Sequence, residues 1–381
     1  MSFKVFVCAG EASGDIHGAE LLNPLRRIDP ETEAFGVGGP RMAAEGFETI
    51  VPMSELGQAG LVEVLRDLPK LFDLFDRITE EVLRRRPDVA VLIDFPDFNL
   101  RLAGRLKSAG IRVAYYVSPQ LWAWRRGRIR TIRRCVDRML VLFPFEEPFY
   151  RDAGVPVTFV GHPIVDSLAP FRSTGAAAHA DSPPTIAFLP GSRRSEVSAL
   201  LPTMIQTIPE IRKNHPGARF LLALSPTLPA SFYDAIVPIE TDLERVVPED
   251  RYRLLSTCHG ALVASGTATL EMALLGVPMV VGYRLNPLSY LLARWLVKVP
   301  HVGLVNLVAE ERIVPERIQG EFRAGILAAD LAPLVVPGEP RDRTLAALQR
   351  AAGRLGPPGA GERAAHEVMA LASGDPGKKA A

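Results

Sequence analysis

The sequence predicts an α/β protein built as two Rossmann-like parallel-sheet domains facing each other across a cleft. Three observations carry that prediction. Short apolar runs alternate with helical stretches, the alternation restarts after an Ala-, Ser- and Pro-rich break at 173–184, and 381 residues with 48% hydrophobic content suffice for two ordinary cores. The first series reads as strands at 4–9, 89–94, 113–117 and 138–143, with helices at 60–85 and 100–109. The second reads as strands at 185–189, 219–224, 261–264 and 278–282. The expected domains are therefore 1–172, a linker at 173–184, a second domain at 185–340, and helices with a tail at 341–381. Those last helices either pack back on the N-terminal domain or exchange between protomers in a homodimer.

Composition narrows the function classes. No apolar run approaches the length that spans a bilayer, and the N-terminus enters a strand with no signal-peptide pattern, so a cytoplasmic protein is expected. Cys8, Cys135 and Cys258 are odd in number, widely spaced and outside any C-x-x-C pair. Neither a disulfide framework nor a zinc cluster is indicated. The seven histidines contain no H-E-x-x-H pattern, so no metal is expected.

The net charge of +1 hides a local imbalance: residues 101–138 hold eleven Lys or Arg against one acid, Asp137. Arg125, Arg126 and Arg128 follow directly on Trp122 and Trp124. Arginines beside tryptophans suit an anionic lipid surface, where the indole sits at headgroup level and each cation adds about 1 kcal/mol. Nucleic acid and a merely solvated helix face are the competing readings. Residues 56–75 space Leu61, Val62, Leu65, Leu68, Leu71, Phe72 and Phe75 as an amphipathic helix, either interfacial or core-facing.

In doubly wound sheets ligands sit at the carboxyl ends of the strands, which makes the strand-end loops the candidate site. The turn Ser265-Gly266-Thr267 lies between an apolar strand and a helix closed by Gly276, so its free amides and the helix dipole favour a phosphate. Glu271, about one turn further on, is placed to accept hydrogen bonds from a ribose. Together they point to a nucleotide-sugar site. Gly191-Ser192-Arg193-Arg194 forms a second anion cradle in the same half, with guanidinium suited to a diphosphate. In the N-terminal half, the loops at 9–15 and 36–42 read as binding loops or as tight turns, with Glu11, Ser13 and Asp15 as polar contacts. Asp94, leaving an apolar strand, is the candidate general base, or else a turn-forming Asx before Pro96; Asp97 sits where a helix cap would. His162 reads equally as a hinge or core residue and as a ligand contact.

The motifs A-G-E-A-S-G-D, G-G-P-R-M, D-F-P-D-F-N, Y-V-S-P-Q-L-W-A-W, F-P-F-E, V-G-H-P, L-P-G-S-R, S-G-T-A-T-L-E and V-V-G-Y-R occur here in an order shared with the lipid-A-disaccharide synthases. From residue 7 to about residue 307 the chain closely resembles that family. The resemblance implies a GT-B hexosyltransferase that joins UDP-2,3-diacylglucosamine to 2,3-diacylglucosamine 1-phosphate (lipid X). Its products would be the β(1→6) lipid A disaccharide 1-phosphate and UDP. It implies no metal or other cofactor, no nucleic-acid partner, and peripheral work at the inner face of the cytoplasmic membrane. It puts the donor site in the C-terminal half at Gly191, Ser192, Arg193, Ser265, Gly266, Thr267 and Glu271. Asn306 joins them on the resemblance alone. Glu11, Ser13 and Asp94 align with the acceptor half. The alternatives are a related GT-B transferase with another lipid-linked acceptor and a non-catalytic lipid-binding relative.

Overall fold

A computed structural model describes residues 2–57, 63–124, 126–172, 183–286, 290–291, 295 and 299–374, with the side chains of 63–70 and 126 excepted. Most of the expected linker, Arg125, the Arg126 side chain, Leu61, Val62, Leu65 and Leu68 thus lie outside the description. The chain divides into two compact units: Met1–Pro163 with Gly356–Ala381, and Ile164–Leu355.

The first unit is a seven-stranded parallel sheet of β1 (Lys4–Ala9), β2 (Glu33–Gly38), β3 (Glu48–Pro52), β4 (Val89–Ile93), β5 (Arg112–Tyr116), β6 (Arg138–Val141) and β7 (Val157–Phe159). Its spatial order is β3-β2-β1-β4-β5-β6-β7. The order reverses between β1 and β4, whose register pairs Ala9 with Ile93. A doubly wound sheet opens its ligand crevice at such a reversal. Here it brings the loops beginning at Gly10 and Asp94 side by side. Every side chain of β4 is buried, and each large one contributes about 1.5–3 kcal/mol of burial.

The second unit repeats the plan with six parallel strands: β8 (Thr185–Leu189), β9 (Arg219–Ala223), β10 (Glu244–Val246), β11 (Gly260–Ala264), β12 (Met279–Tyr283) and β13 (Glu316–Ile318). Their order, β10-β9-β8-β11-β12-β13, reverses between β8 and β11. Leu189 pairs with Val263 there, so the loops at 190–193 and 265–267 leave the sheet as neighbours.

Several elements depart from the sequence reading. The stretch read as a glycine loop at 36–42 begins inside β2, and only Gly39 lies between that strand and the helix Pro40–Ala44. Gly36 is a strand residue at a register shift, with φ of 142°, and a Cβ there would meet the Val7 carbonyl at 2.1 Å. The helix expected at 100–109 spans Pro96–Ser108, because proline at its first position gives up only an N–H that no helix start can pair. The C-terminal helices do not act together. Glu339–Gly353 belongs to the second unit, where buried Arg341 donates to the carbonyls of His259 (2.6 Å) and Leu334 (2.5 Å). Ala360–Ser373 packs on the helix Ala12–Ile28 of the first unit, with Arg363 Nε donating to the Val160 carbonyl at 2.8 Å.

In the 56–75 segment, Leu56 is buried in the core from its own short helix, Ser54–Gly57. Leu71 and Phe75, on the helix Glu63–Arg85, pack against the same core, whereas Phe72 is 54% exposed. Among the described residues no helix is long and apolar enough to cross a membrane.

Candidate active site

Asp94 caps β4 in a conformation that a non-glycine residue seldom adopts. Its φ is +46°, that of Phe95 is +49°, and Val117, at the end of neighbouring β5, has +65°. A left-handed β-branched or paired non-glycine site costs on the order of 1–3 kcal/mol and persists only where surroundings enforce it. They do. The Asp94 N–H donates to the Tyr116 carbonyl at 3.0 Å, and its own carbonyl accepts from Tyr115 Oη at 2.6 Å and Asn99 Nδ2 at 2.8 Å. Asn99 is fully buried and its amide also donates to the Ile93 carbonyl at 3.1 Å. With the backbone pinned, the carboxylate is left to the strand-end opening. Burial, and then the charge of Glu11, push its pKa up, against a lowering hydrogen bond from the Phe95 N–H and the nearby His17. A half-buried acid with a raised pKa and, among the described residues, no ion-pair partner of its own suits general-base chemistry.

The first strand-end loop is packed directly on this one, since a Cβ on Gly10 would meet the Phe95 ring at 2.7 Å. Glu11 and Ser13 are exposed at the start of the helix Ala12–Ile28. Asp15, read as a polar contact for ligand, is 2% exposed and accepts the backbone N–H groups of Gly39 (2.8 Å), Arg41 (2.9 Å) and Met42 (3.0 Å). It is a structural tie from the first turn of the helix Ala12–Ile28 to the start of the helix Pro40–Ala44. His162 is a buried aromatic neighbour of Phe143 and His17, and burial followed by the charge of His17 lowers its pKa to about 3, so the ring is neutral at neutral pH.

The basic, tryptophan-bearing segment is split between inside and outside. Trp122 is half-buried, edge-on to Phe145 at 5.0 Å, and its Nε1 donates to Glu146 Oε1 at 3.1 Å. Trp124 is 42% exposed, and Arg128 is ion-paired with Asp97. Glu146 itself escaped the sequence reading, where it stood unremarked in F-P-F-E. It is 2% exposed, and burial raises its pKa to about 7 despite hydrogen bonds from the Phe143 N–H, Trp122 and Ser118 that favour the charge. The available signal was its place in an acidic pair, Glu146-Glu147, directly after the apolar run Phe143-Pro144-Phe145.

In the second unit, a cavity of about 820 Å³ joins the two predicted anion loops, with Arg193, Ser265, Tyr283 and Arg284 in its wall. The N–H groups of Gly266 and Thr267 meet no acceptor among the described residues. The cradle at 191–193 already holds an anion from the chain itself: Glu196 Oε2 accepts the N–H of Ser192 (3.1 Å) and of Arg193 (3.3 Å). That close approach needs Gly191, whose φ is +109° and whose Cβ would meet Glu196 Oε2 at 2.4 Å. Arg193 stays 79% exposed while pairing with Glu196 at 2.9 Å, so its guanidinium can serve a second anion.

Two donor-site expectations change. The Ser265 hydroxyl donates to the Val302 carbonyl at 2.7 Å and its N–H to the Gly282 carbonyl at 2.9 Å, so both donors are spent on the fold and the amides of Gly266 and Thr267 are what the turn has left to offer. Asn306 is fully buried with its amide saturated: Nδ2 donates to the Val314 carbonyl (3.0 Å) and Glu316 Oε1 (2.9 Å), and Oδ1 accepts from the N–H of Ile313 (2.9 Å) and Val314 (3.1 Å). It is not placed to touch a ligand. Glu316 in turn accepts the N–H of Val302 (3.0 Å) and Gly303 (2.8 Å), so Asn306 supports the backbone to which Ser265 is tied. Glu271 is buried and accepts from Arg251 Nη2 and, at 3.3 Å, from Tyr252 Oη.

With this geometry in hand, the family model described as lipid-A-disaccharide synthetase matches residues 5–352. The chain belongs to the lipid-A-disaccharide synthase family. Proteins named lipid-A-disaccharide synthase from Geobacter metallireducens, Myxococcus xanthus and Anaeromyxobacter sp. (strain K) are 43%, 42% and 44% identical to it, each over 97% of both chains. Solved structures with the same fold are far more distant in sequence. The Staphylococcus aureus MnaA–UDP co-structure has a TM-score of 0.64 at 11% identity, covering 97% of both chains. The glycotransferase of kitacinnamycin has 0.60 at 17% identity, covering 97% of this chain and 98% of its own. The family's fold is GT-B, and the two parallel sheets described above are its two Rossmann-like domains.

The bonds to the Asp94 carbonyl give a first test. Tyr115→Phe removes a single neutral hydrogen bond worth about 0.5–1.5 kcal/mol, and a roughly 2- to 10-fold drop in kcat is expected as the Asp94 backbone loosens. Steady-state kinetics should put the loss in kcat and leave the donor KM alone.

Proposed function

We propose that this chain carries out the family's reaction with Asp94 as its general base and Arg193 and the 265–267 turn as its leaving-group site. The reaction is transfer of 2,3-diacylglucosamine from UDP to the 6-hydroxyl of lipid X, with UDP released. The acceptor oxygen forms the new bond to the anomeric carbon, the bond from that carbon to the diphosphate oxygen breaks, and the hydroxyl proton passes to Asp94. One such displacement turns an α-linked donor into a β product. Negative charge builds on the diphosphate as it leaves, where the exposed Arg193 guanidinium and the open amides of Gly266 and Thr267 stabilise it. Glu11 and Ser13 flank the acceptor hydroxyl from the neighbouring loop, Glu271 takes the ribose, and Gly191 and Ser192 shape the diphosphate cradle. Asn306 contributes from behind, by fixing the Val302–Glu316 contact.

The observation that carries the catalytic reading is the pinned, pKa-raised Asp94 at the β1/β4 reversal. The experiment that tests the function is UDP release measured with lipid X and with other lipid-linked acceptors. Release with lipid X alone supports the reading; equal or faster release with another acceptor transfers the chain to a related GT-B activity, and no release with any acceptor leaves a lipid-binding relative.

The reading includes work at an anionic membrane surface, supported by exposed Trp124 and Phe72 and by the surplus of cations at 101–138. Replacing Arg125, Arg126 and Arg128 by Ser is expected to weaken flotation on anionic vesicles at low salt, with the difference from wild type vanishing as salt rises. Equal vesicle binding by the two proteins at low salt would refute the surface assignment.

A further inference from the structure

A groove of about 570 Å³ lies in the first unit between the helices Pro96–Ser108 and Ile129–Cys135. Arg101 and Arg105 from the first helix, Arg134 from the second and Arg128 just before it line the groove, over an apolar floor that includes Phe75 and Leu100. Its one acidic residue, Asp97, is already paired with Arg128. Arg101, Arg105 and Arg134 are exposed and have no carboxylate partner among the described residues. Arg101 and Arg105 stand one helical turn apart, where like charges repel weakly, and an anion between them would relieve that repulsion. Guanidinium groups match the oxygens of a phosphate bidentately, and three unneutralised ones suit a dianionic phosphomonoester better than a single carboxylate. Leu100 is buried in the core and Phe75 packs against it, so only the part-exposed side of Phe75 offers apolar surface beside the arginines.

We propose that this groove is a phosphate-recognition site that seats the phosphomonoester of the acceptor lipid, with the first methylenes of a chain against the part-exposed side of Phe75. The proposal rests on the reading of Asp94 as the base. The helix begins at Pro96, two residues beyond Asp94, and Arg101 lies about 7.5 Å along its axis from that start at 1.5 Å per residue. That is of the order of one hexose ring with its substituents, and the reacting hydroxyl and the phosphate lie at the two ends of such a ring.

The test uses the full-length enzyme in detergent micelles, comparing the phosphorylated acceptor lipid with the same lipid after phosphatase treatment. The double variant Arg101→Gln/Arg105→Gln is expected to raise KM for the phosphorylated acceptor about tenfold or more, the loss of one or two charge-assisted contacts, and to match wild type on the dephosphorylated one. Inorganic phosphate should compete with the acceptor in wild type and lose that effect in the variant. An unchanged melting temperature and donor KM show that the fold and the second unit are intact. Equal penalties on both acceptors overturn the proposal. So does an unchanged acceptor KM with weaker flotation on phosphatidylglycerol vesicles, which assigns the groove to bilayer headgroups instead. The ratio between the two acceptors is measured with Asp94 in place, so a near-normal Asp94→Asn enzyme would remove the base assignment and leave this ratio to decide the groove by itself.

Discussion

Asp94→Asn is expected to lower kcat by about 10²-fold or more while leaving donor binding and the fold intact. The amide keeps the shape of the carboxylate and can still accept the Phe95 N–H, but it cannot take a proton from the acceptor hydroxyl. The backbone that sets the loop is held through the Asp94 N–H and carbonyl, by Tyr116, Tyr115 and Asn99, and none of those bonds uses the side chain. Stability should follow the direction of the pKa shift. Because the folded protein raises the Asp94 pKa, the stability linked to this group is present when it is protonated and is lost as pH rises through the folded-state value. At neutral pH the neutral amide therefore leaves the melting temperature unchanged or higher. The wild-type rate should fall on the acid side along a limb displaced above that of an ordinary carboxylate, and the variant should lack that limb. A near-normal kcat would make Asp94 a turn-former and move the search to Glu11, whose charge already reaches it.

The pairing of Gly10 with Phe95 and of Leu189 with Val263 explains what was legible in the sequence. Both sites lie at strand-order reversals, and buried strands such as β4 and β11 announce themselves as unbroken apolar runs that stop at a polar turn residue, Asp94 and Ser265. The strands that escaped notice, β3, β7, β10 and β13 among them, are short edge or near-edge strands with mixed burial, so neither an apolar run nor an alternation marks them. Polar residues divide in a similar way. Asp94 stands out as a candidate because an acid ends an apolar strand, whereas Asp15, read from its loop, and Asn306, taken from the resemblance, are residues whose contacts the sequence does not show. Their partners, at Gly39 to Met42 and Ile313 to Glu316, come from segments outside their own helices, whose approach no local pattern encodes. Glu146 is the converse case: its pKa is raised by a burial that only the folded packing of Trp122 and Phe143 creates.

Glu271→Gln should raise the donor KM roughly 10- to 100-fold with little change in the acceptor KM, the loss of a charge-assisted hydrogen bond to ribose being worth about 1.5–3 kcal/mol. The structure makes this a sharper test than the motif alone allowed. Glu271 already accepts from Arg251 and Tyr252, so its carboxylate has a structural task as well as the proposed one. A carboxylate has about four lone-pair positions, enough for both partners and a ribose hydroxyl together. The two tasks separate by comparing variants. Arg251→Gln removes the ion pair and leaves the carboxylate, so it should lower the melting temperature while UDP affinity by calorimetry falls less than in Glu271→Gln. In the double variant the stability losses should not add, because each single change breaks the same pair. If Glu271 serves only Arg251, both single variants will lose stability and neither will lose UDP affinity. That outcome would withdraw Glu271 from the donor site and leave its recognition to Arg193 and the 265–267 turn.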